Sequence, residues 1–178
     1  MLTTARTLAL LSLCLFSISN ASANNFPYNT LDFRLGVGPT TFGVGYSMQF
    51  MENAHFILRA DSEFEGDYDF AGGIGFNGPI DQFFDITGQM LVHNIKDDSH
   101  DIIGDDILPE FNFGLRMWFL ENIELHGKAG MLIDSEETHF IWEGGARFHS
   151  TQQLVVGASL LNNGVYGSQL MVQTRFNF

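Results

Sequence analysis

The chain has 178 residues and a formal net charge of −13, because 21 Asp and Glu outweigh 8 Lys and Arg. Such an acidic chain lacks the basic footprint that nucleic-acid binding requires, so we expect no nucleic-acid partner. No apolar stretch beyond the first 23 residues approaches the roughly 20 residues of a membrane-spanning helix. Any membrane residence must therefore depend on strands.

The first 23 residues are predicted to be a cleaved signal peptide. An apolar run follows Arg6, and Ala21-Ser22-Ala23 forms a small-x-small cleavage site, which is the pattern of an exported protein. A lipoprotein signal using Cys14 is the alternative, and the large residue before that cysteine disfavours it. Cleavage would leave one domain, residues 24–178, without cysteine. Its formal charge would be −14, because cleavage removes one basic residue and no acidic one.

Ten segments of the mature chain alternate between apolar and polar residues, as strands do when their two faces meet different surroundings. Most are close to the roughly 9–11 residues that a tilted strand needs to cross a bilayer. They are Thr30–Gly38, Thr41–Phe50, His55–Phe64, Tyr68–Phe76, Gln82–Val92, Ile107–Phe119, Ile123–Asp134, His139–Phe148, Leu154–Leu160 and Val165–Phe178. We predict an all-β fold: an antiparallel up-and-down transmembrane β-barrel of about ten strands, or eight if a weak hairpin does not span.

The connections between these segments alternate in length and charge. Four are predicted to be short turns: Met51–Ala54, Asn77–Asp81, Leu120–Asn122 and Ser150–Gln153. The opposite set comprises Glu63–Asp67, His93–Asp106 and Asp134–Thr138, which gather many of the acidic residues, and a tight hairpin at Leu161–Gly164. Outer-membrane barrels have short periplasmic turns and longer extracellular loops. The acidic connections are therefore predicted to lie outside the cell.

The two faces of the segments differ in charge. One face is apolar, whereas the other carries many glycines and six of the seven basic residues of the mature chain, together with six acids. We predict that the charged face lines a narrow lumen and forms a network, because an unpaired buried charge is costly. The predicted lumen charge network is Asp32, Arg34, Arg59, Asp61, Asp85, Glu110, Arg116, Glu124, Lys128, Glu143, Arg147 and Arg175. The alternative is a soluble secreted barrel or sandwich with its apolar face inward.

Aromatic residues gather near the segment ends, as at the two interfaces of a bilayer. The predicted periplasmic girdle is Phe50, Phe56, Phe76, Phe84, Phe119, Phe148, Phe176 and Phe178. The predicted extracellular girdle is Phe64, Tyr68, Phe70, Phe140, Trp142 and Tyr166. A soluble core would not need such bands, so the girdles favour the membrane barrel.

The last segment ends on Phe178, with Phe176 on the same face. It resembles the closing strand of Gram-negative outer-membrane barrels, in which the terminal aromatic belongs to the signal read during assembly. The resemblance implies Phe176 and Phe178 as the assembly signal. It also implies the barrel-assembly machinery and periplasmic chaperones as partners during biogenesis, with outer-membrane lipid and lipopolysaccharide around the mature barrel.

The size, export signal and ten-segment pattern, with Leu35–Gly38 and Gly145–Phe148, resemble those of small YfaZ-like outer-membrane proteins. This resemblance implies a fold and a compartment, the outer membrane, but no activity. We expect a closed barrel with a structural or interaction role that presents short acidic loops. A narrow pore for ions or small solutes is the second hypothesis, since charged linings set selectivity in porin-like channels. The oligomeric state stays open.

An enzyme acting on outer-membrane lipid is the third hypothesis, and we expect no enzymatic activity. His149-Ser150 lies at a predicted periplasmic turn and does not match the His/Ser motif of lipid A deacylases. Asp97, Asp98, His100 and Asp101 lie on the side where outer-membrane proteases carry their acids, but the chain has too little loop. The same acids, with Asp105 and Asp106, fit no Ca²⁺-loop template, so no metal or cofactor is predicted.

Overall fold

The computed structural model describes residues 24–97, 103, 106–134 and 137–178. The predicted signal peptide lies outside the described residues. Within them the chain forms ten strands: β1 (Thr30–Val37), β2 (Thr41–Met51), β3 (Ala54–Ser62), β4 (Tyr68–Pro79), β5 (Phe84–Lys96), β6 (Asp106–Leu120), β7 (Ile123–Ile133), β8 (Thr138–His149), β9 (Leu154–Asn162) and β10 (Ser168–Asn177). In the part of the chain described here, no helix is long and apolar enough to cross a membrane.

Every strand pairs antiparallel with its neighbours in sequence, and β1 pairs with β10 to close the barrel. At this closure Thr30 lies opposite Asn177, and Val37 lies opposite Leu170. Closure leaves no strand edge unpaired, which a strand protein needs in hydrocarbon. The predicted antiparallel barrel is confirmed, with ten strands rather than eight.

The barrel has two distinct ends. The connections β2–β3, β4–β5, β6–β7 and β8–β9 span two to four residues each, and we call their end the turn mouth. The other connections open at the loop mouth, where β5–β6 is the longest. Residues 24–29 precede β1 and therefore also lie at the turn mouth.

Three predicted boundaries were wrong. The strand β4 continues through the predicted turn to Pro79, which pairs with Asp85, because a proline at a strand end removes no interior ladder bond. The strand β5 reaches Lys96, so the acidic loop begins later than predicted. The predicted tight hairpin at Leu161–Gly164 is instead a longer connection, Asn163–Gly167, with positive φ at Gly164 and Gly167. Asn163 Oδ1 accepts N–H bonds from the two residues after Gly164, which favours this wider turn.

The two faces of the wall follow the strand alternation. Large apolar side chains stay exposed on the outside, among them Phe113 at 74% and Leu58 at 57%. Buried charged groups such as Glu124 and Asp85 point inward. This is the inverse of a water-soluble barrel and matches a wall that faces lipid.

Glycines let the inner face hold these charges. At Gly130, which lies opposite Asn112, a Cβ atom would collide with the carbonyl oxygen of Phe111. At Gly43 a Cβ atom would collide with Asp61 Oδ1. The glycine at position 43 therefore lets the Asp61 side chain cross β2 toward β1.

Candidate functional site: a charged lumen between a strap and a cap

The structure brings eleven of the twelve predicted lumen residues into ion pairs. The pairs are Arg34–Asp61 at 2.8 Å, Arg59–Glu110 at 2.6 Å, Arg175–Asp32 at 2.6 Å, Lys128–Glu143 at 3.4 Å, Arg116–Glu124 at 2.8 Å and Arg147–Glu124 at 2.6 Å. Each of these pairs joins two different strands, so the alternation along a single strand could not specify it. Arg59 of β3 reaches Glu110 of β6 across the lumen.

Asp85 is the one member of the predicted network with no ion pair among the described residues. It accepts hydrogen bonds from the Tyr28 hydroxyl at 2.9 Å and from the Asn25 side-chain amide at 2.8 Å. Its negative charge is therefore stabilised by neutral donors from the segment before β1.

Histidines extend the network, and the sequence reasoning missed them. His93 lies between Asp69 Oδ1 at 2.8 Å and Glu110 Oε2 at 2.6 Å. His126 contacts Glu143 at 3.1 Å, and His149 contacts Glu124 at 2.9 Å. All three histidines lie on the charged face of their strands, so the same alternation that marked the arginines was the signal that could have found them.

Residues 24–29, which we call the strap, lie across the turn mouth. Phe26 is 2% exposed and stacks on Trp118, with 4.9 Å between ring centroids. The guanidinium carbon of Arg116 lies 4.5 Å from the Phe26 ring centre and 5.0 Å from that of Tyr28. Such cation–π contacts strengthen when they are desolvated. The strap therefore packs against lumen side chains.

Hydrogen bonds hold the strap across the mouth. The Trp118 indole N–H donates to the Asn25 carbonyl at 3.2 Å, and Arg116 Nη1 donates to the Pro27 carbonyl at 3.2 Å. On the other side, the Ser47 hydroxyl donates to the Tyr28 carbonyl at 2.7 Å. The sequence reasoning passed over this segment, although Phe26-Pro27-Tyr28 before the first strand was an available signal.

An apolar cluster, which we call the cap, lies at the loop mouth. Its buried members come from strands β5 to β8 and from two loops: Ile95, Ile103, Leu108, Leu132, Ile141, Val165 and Tyr166. Tyr166 was predicted to face the bilayer interface, and this prediction was wrong. The side chain is 8% exposed and turned into the cap, because the wide Asn163–Gly167 connection lies inward over the lumen.

Between the strap and the cap lies a partly open cavity of about 160 Å³, which we call the chamber. A second cavity of about 40 Å³ lies directly beneath the cap. All six basic residues of the lumen line the chamber, whereas Asp32 and Glu143 are the acids that do so. More basic than acidic residues therefore line the chamber, but each of these six bases is paired with a carboxylate of the lumen.

The other predicted residues lie outside this site. Phe176 is exposed on the outer face beside Phe33, and Phe178 stacks on Tyr46 with 5.9 Å between centroids. Asp98, His100, Asp101 and Asp105 lie outside the described residues. Among the residues that the structure describes, no group of His, Cys, Asp and Glu has a metal-binding arrangement.

No protein-family profile matches this sequence, and no curated protein is similar to it in sequence. In fold the chain is similar to the KdgM porin, with a TM-score of 0.52, 7% identity, and coverage of 84% of this chain and 99% of that chain. The NanC porin gives a TM-score of 0.47 and 9% identity, with 84% and 98% covered. At such identities the likeness concerns the fold alone. The class that the fold defines is the outer-membrane β-barrel, of the kind that KdgM-type porins form.

Proposed function

We propose that this protein is an integral β-barrel of the Gram-negative outer membrane with a structural or interaction role. One observation carries the proposal: the charges of the lumen are paired with one another between the strap at one mouth and the cap at the other. The turn mouth would face the periplasm and the loop mouth the outside, because periplasmic turns are the shorter set in such barrels. The acidic loops would then be the surface presented to partners.

The lipid surroundings follow from the outer face. Exposed Phe140 and Trp142 near the loop mouth, and Phe148 near the turn mouth, support two interfacial bands. We propose outer-membrane lipid and lipopolysaccharide as the surroundings of the wall and loops. Phe176 and Phe178 are proposed as the signal to the barrel-assembly machinery, with periplasmic chaperones acting earlier.

A narrow pore is the second candidate, and the strap favours it. The strap lies across the mouth as a segment outside the strand ladder, held largely by side-chain contacts, so its release would open the chamber without breaking the barrel. One structure with this fold is described as a KdgM porin in complex with disordered oligogalacturonate. In this chain, such a pore would be lined by paired charges of both signs.

We propose no enzymatic role. His149, the histidine of the single His-Ser pair considered, contacts Glu124 and the Trp118 ring, with 4.5 Å between ring centroids. Those contacts support a structural role for His149 in the lumen.

Single-channel conductance of the refolded protein in a planar bilayer separates the first two candidates. The comparison is with the double variant Arg116→Ala/Arg147→Ala, and protease protection shows insertion independently. A silent bilayer with inserted protein is the expected result for a closed barrel. Steady openings whose size or ion preference changes in the variant would establish the pore instead.

A further inference from the structure

His93 is buried between two carboxylates that belong to the neighbouring strands. Its Nδ1 atom lies 2.8 Å from Asp69 Oδ1 on β4, and its Nε2 atom lies 2.6 Å from Glu110 Oε2 on β6. An ionised carboxylate can only accept hydrogen bonds, and a neutral imidazole carries a single N–H. Each of the two contacts needs a hydrogen atom, so the three side chains together hold two protons. A neutral histidine beside two carboxylates would hold only one.

Asp69 depends on this extra proton more than Glu110 does. Asp69 is buried, and among the residues that the structure describes its one ion pair is with His93. Glu110 has further partners, because its Oε2 atom also accepts a bond from Arg59 at 2.6 Å and its Oε1 atom accepts one from Asn112. A buried carboxylate without a counter-charge is costly. The positive charge on His93 therefore stabilises Asp69 above all.

The charges around the cavity beneath the cap lead to the same proton count. Four carboxylates and three permanent cations line this cavity among the described residues: Asp61, Asp69, Glu110, Glu143, Arg34, Arg59 and Lys128. Each cation pairs with a carboxylate other than Asp69. The remaining ionisable groups on this wall are Tyr166 and His93, while His126, which also contacts Glu143, lines the chamber instead. With His93 as an imidazolium, four positive charges meet four negative ones.

Strand register places this charged group directly beneath the cap. His93 lies opposite Leu108 on β6, and Asp69 lies opposite Ile95 on β5. Leu108 and Ile95 both belong to the cap. Ile95 also follows His93 by two positions, so the two side chains share the inward face of β5. If His93 lost one proton, an imidazole lone pair would face a carboxylate under an apolar cluster.

We propose that the His93 imidazolium is a pH-sensitive tie beneath the cap, and that its deprotonation in alkali loosens the loop mouth. Imidazole is more basic than a carboxylate, so the second proton of the group lies on His93. Because the folded barrel binds this proton, the stabilisation is present below the pH at which His93 titrates and is lost as the pH rises through it. The freed carboxylate must then be hydrated, and the cavity of about 40 Å³ has room for water.

Nuclear magnetic resonance of the protein refolded in detergent tests this tie. The ring-nitrogen signals of His93, assigned by their loss in His93→Gln, show whether each ring nitrogen carries a proton. Methyl signals of Ile95 and Leu108, broadened by a water-soluble paramagnetic agent, show how far solvent reaches the cap. Near neutral pH, both ring nitrogens are expected to carry a proton. As the pH is raised one proton should leave, and the methyl signals should broaden over the same pH range.

Asp69→Asn removes the carboxylate that requires the extra proton. The substitution keeps the size of the side chain and places an amide beside a ring that can then be neutral, so the variant is expected to fold. His93 should titrate at a pH lower by about one unit or more, since a nearby opposite charge has an effect of this size. Broadening of the Ile95 and Leu108 methyl signals should begin at a correspondingly lower pH.

The matched control is His149→Gln, which removes another inner-face histidine that contacts a carboxylate, Glu124, but lies at the turn mouth. The titrations of His93 and of the cap methyl signals are expected to be unchanged. The proposal is overturned if wild-type His93 has an unprotonated ring nitrogen near neutral pH, or if the cap methyl signals do not follow its titration. These signals are independent of conductance, so they test the tie whether or not the barrel forms a pore.

Discussion

The phenolic O–H of Tyr166 donates a hydrogen bond to Asp67 Oδ2 at 2.8 Å, although 99 positions separate the two residues in the chain. The same carboxylate accepts backbone N–H bonds from Glu63 at 2.8 Å and from Glu65 at 3.1 Å. One side chain therefore ties the β3–β4 loop to the β9–β10 loop. Through Tyr166, this link also joins the β3–β4 loop to the cap.

We predict that Tyr166→Phe loosens the cap without opening the wall. The substitution keeps the ring and removes one bond to a charged acceptor, Asp67, which is only partly buried. Such a bond is worth about 1–2 kcal/mol. Hydrogen exchange in residues 163–167 and 63–67 should accelerate, while exchange within the strands stays unchanged. Tyr68→Phe is the control, because its ring still packs on Phe70. Equal exchange in both variants would contradict the prediction.

The same contact predicts a loss of loop order in acid. Burial acts to raise the pKa of Asp67, but the N–H bonds of Glu63 and Glu65 and the Tyr166 hydroxyl outweigh it and hold the pKa below its ordinary 3.8. The stabilisation is therefore complete above pH 3.8 and is lost as the pH falls through the lower folded-state pKa. Hydrogen exchange in residues 63–67, measured as a function of pH, should become faster as the pH falls through this folded-state pKa. In Tyr166→Phe one of the bonds that lower the pKa of Asp67 is lost, so this increase in exchange should begin at a higher pH.

Removing the shared carboxylate of the lumen should be among the most costly single changes. Glu124→Gln leaves Arg116 and Arg147 buried without their common counter-charge, for which we expect a loss of about 3–5 kcal/mol. This loss is measured by urea unfolding in detergent, with heat-modifiable gel mobility as the readout of the folded fraction. Glu121→Gln, in the exposed β6–β7 turn, should leave the midpoint unchanged. A Glu124→Gln midpoint equal to that of wild type would mean that the network contributes little to stability.

A pair of glycines tests the crowding of the inner face. Gly130→Ala places a methyl group against the Phe111 carbonyl oxygen, which is backbone and cannot move cheaply, so we expect a loss of about 1–3 kcal/mol. Gly144→Ala adds the same methyl group on the lipid face, where nothing lies within 4 Å. The unfolding midpoint of Gly130→Ala should therefore be lower than that of Gly144→Ala. Equal midpoints would argue against a tightly packed lumen.

The sequence predicted the wall far better than the mouths. Alternation along each strand is local, so Arg59 and Glu110 could be assigned to the inner face from their parity alone. Which charges meet depends on the register of ten strands and on glycine gaps such as Gly43, and neither is visible in a single segment. The packing of side chains at the two mouths was not predicted, for a different reason. Phe26 and Tyr166 lie outside the strands, and only the closed barrel supplies the surface against which they pack.

The strap gives the last prediction. Phe26→Ala removes the ring that stacks on Trp118 and underlies the Arg116 guanidinium, so the turn mouth should open intermittently. Bilayer recordings should then show brief openings that wild type lacks, and the Trp118 emission should shift to longer wavelength as water enters. Phe56→Ala removes an aromatic ring that stacks on Phe50 on the lipid face at the same end of the barrel. It should produce neither change. If Phe26→Ala is as silent as Phe56→Ala, the paired charges of the lumen, and not the strap, are what closes the barrel.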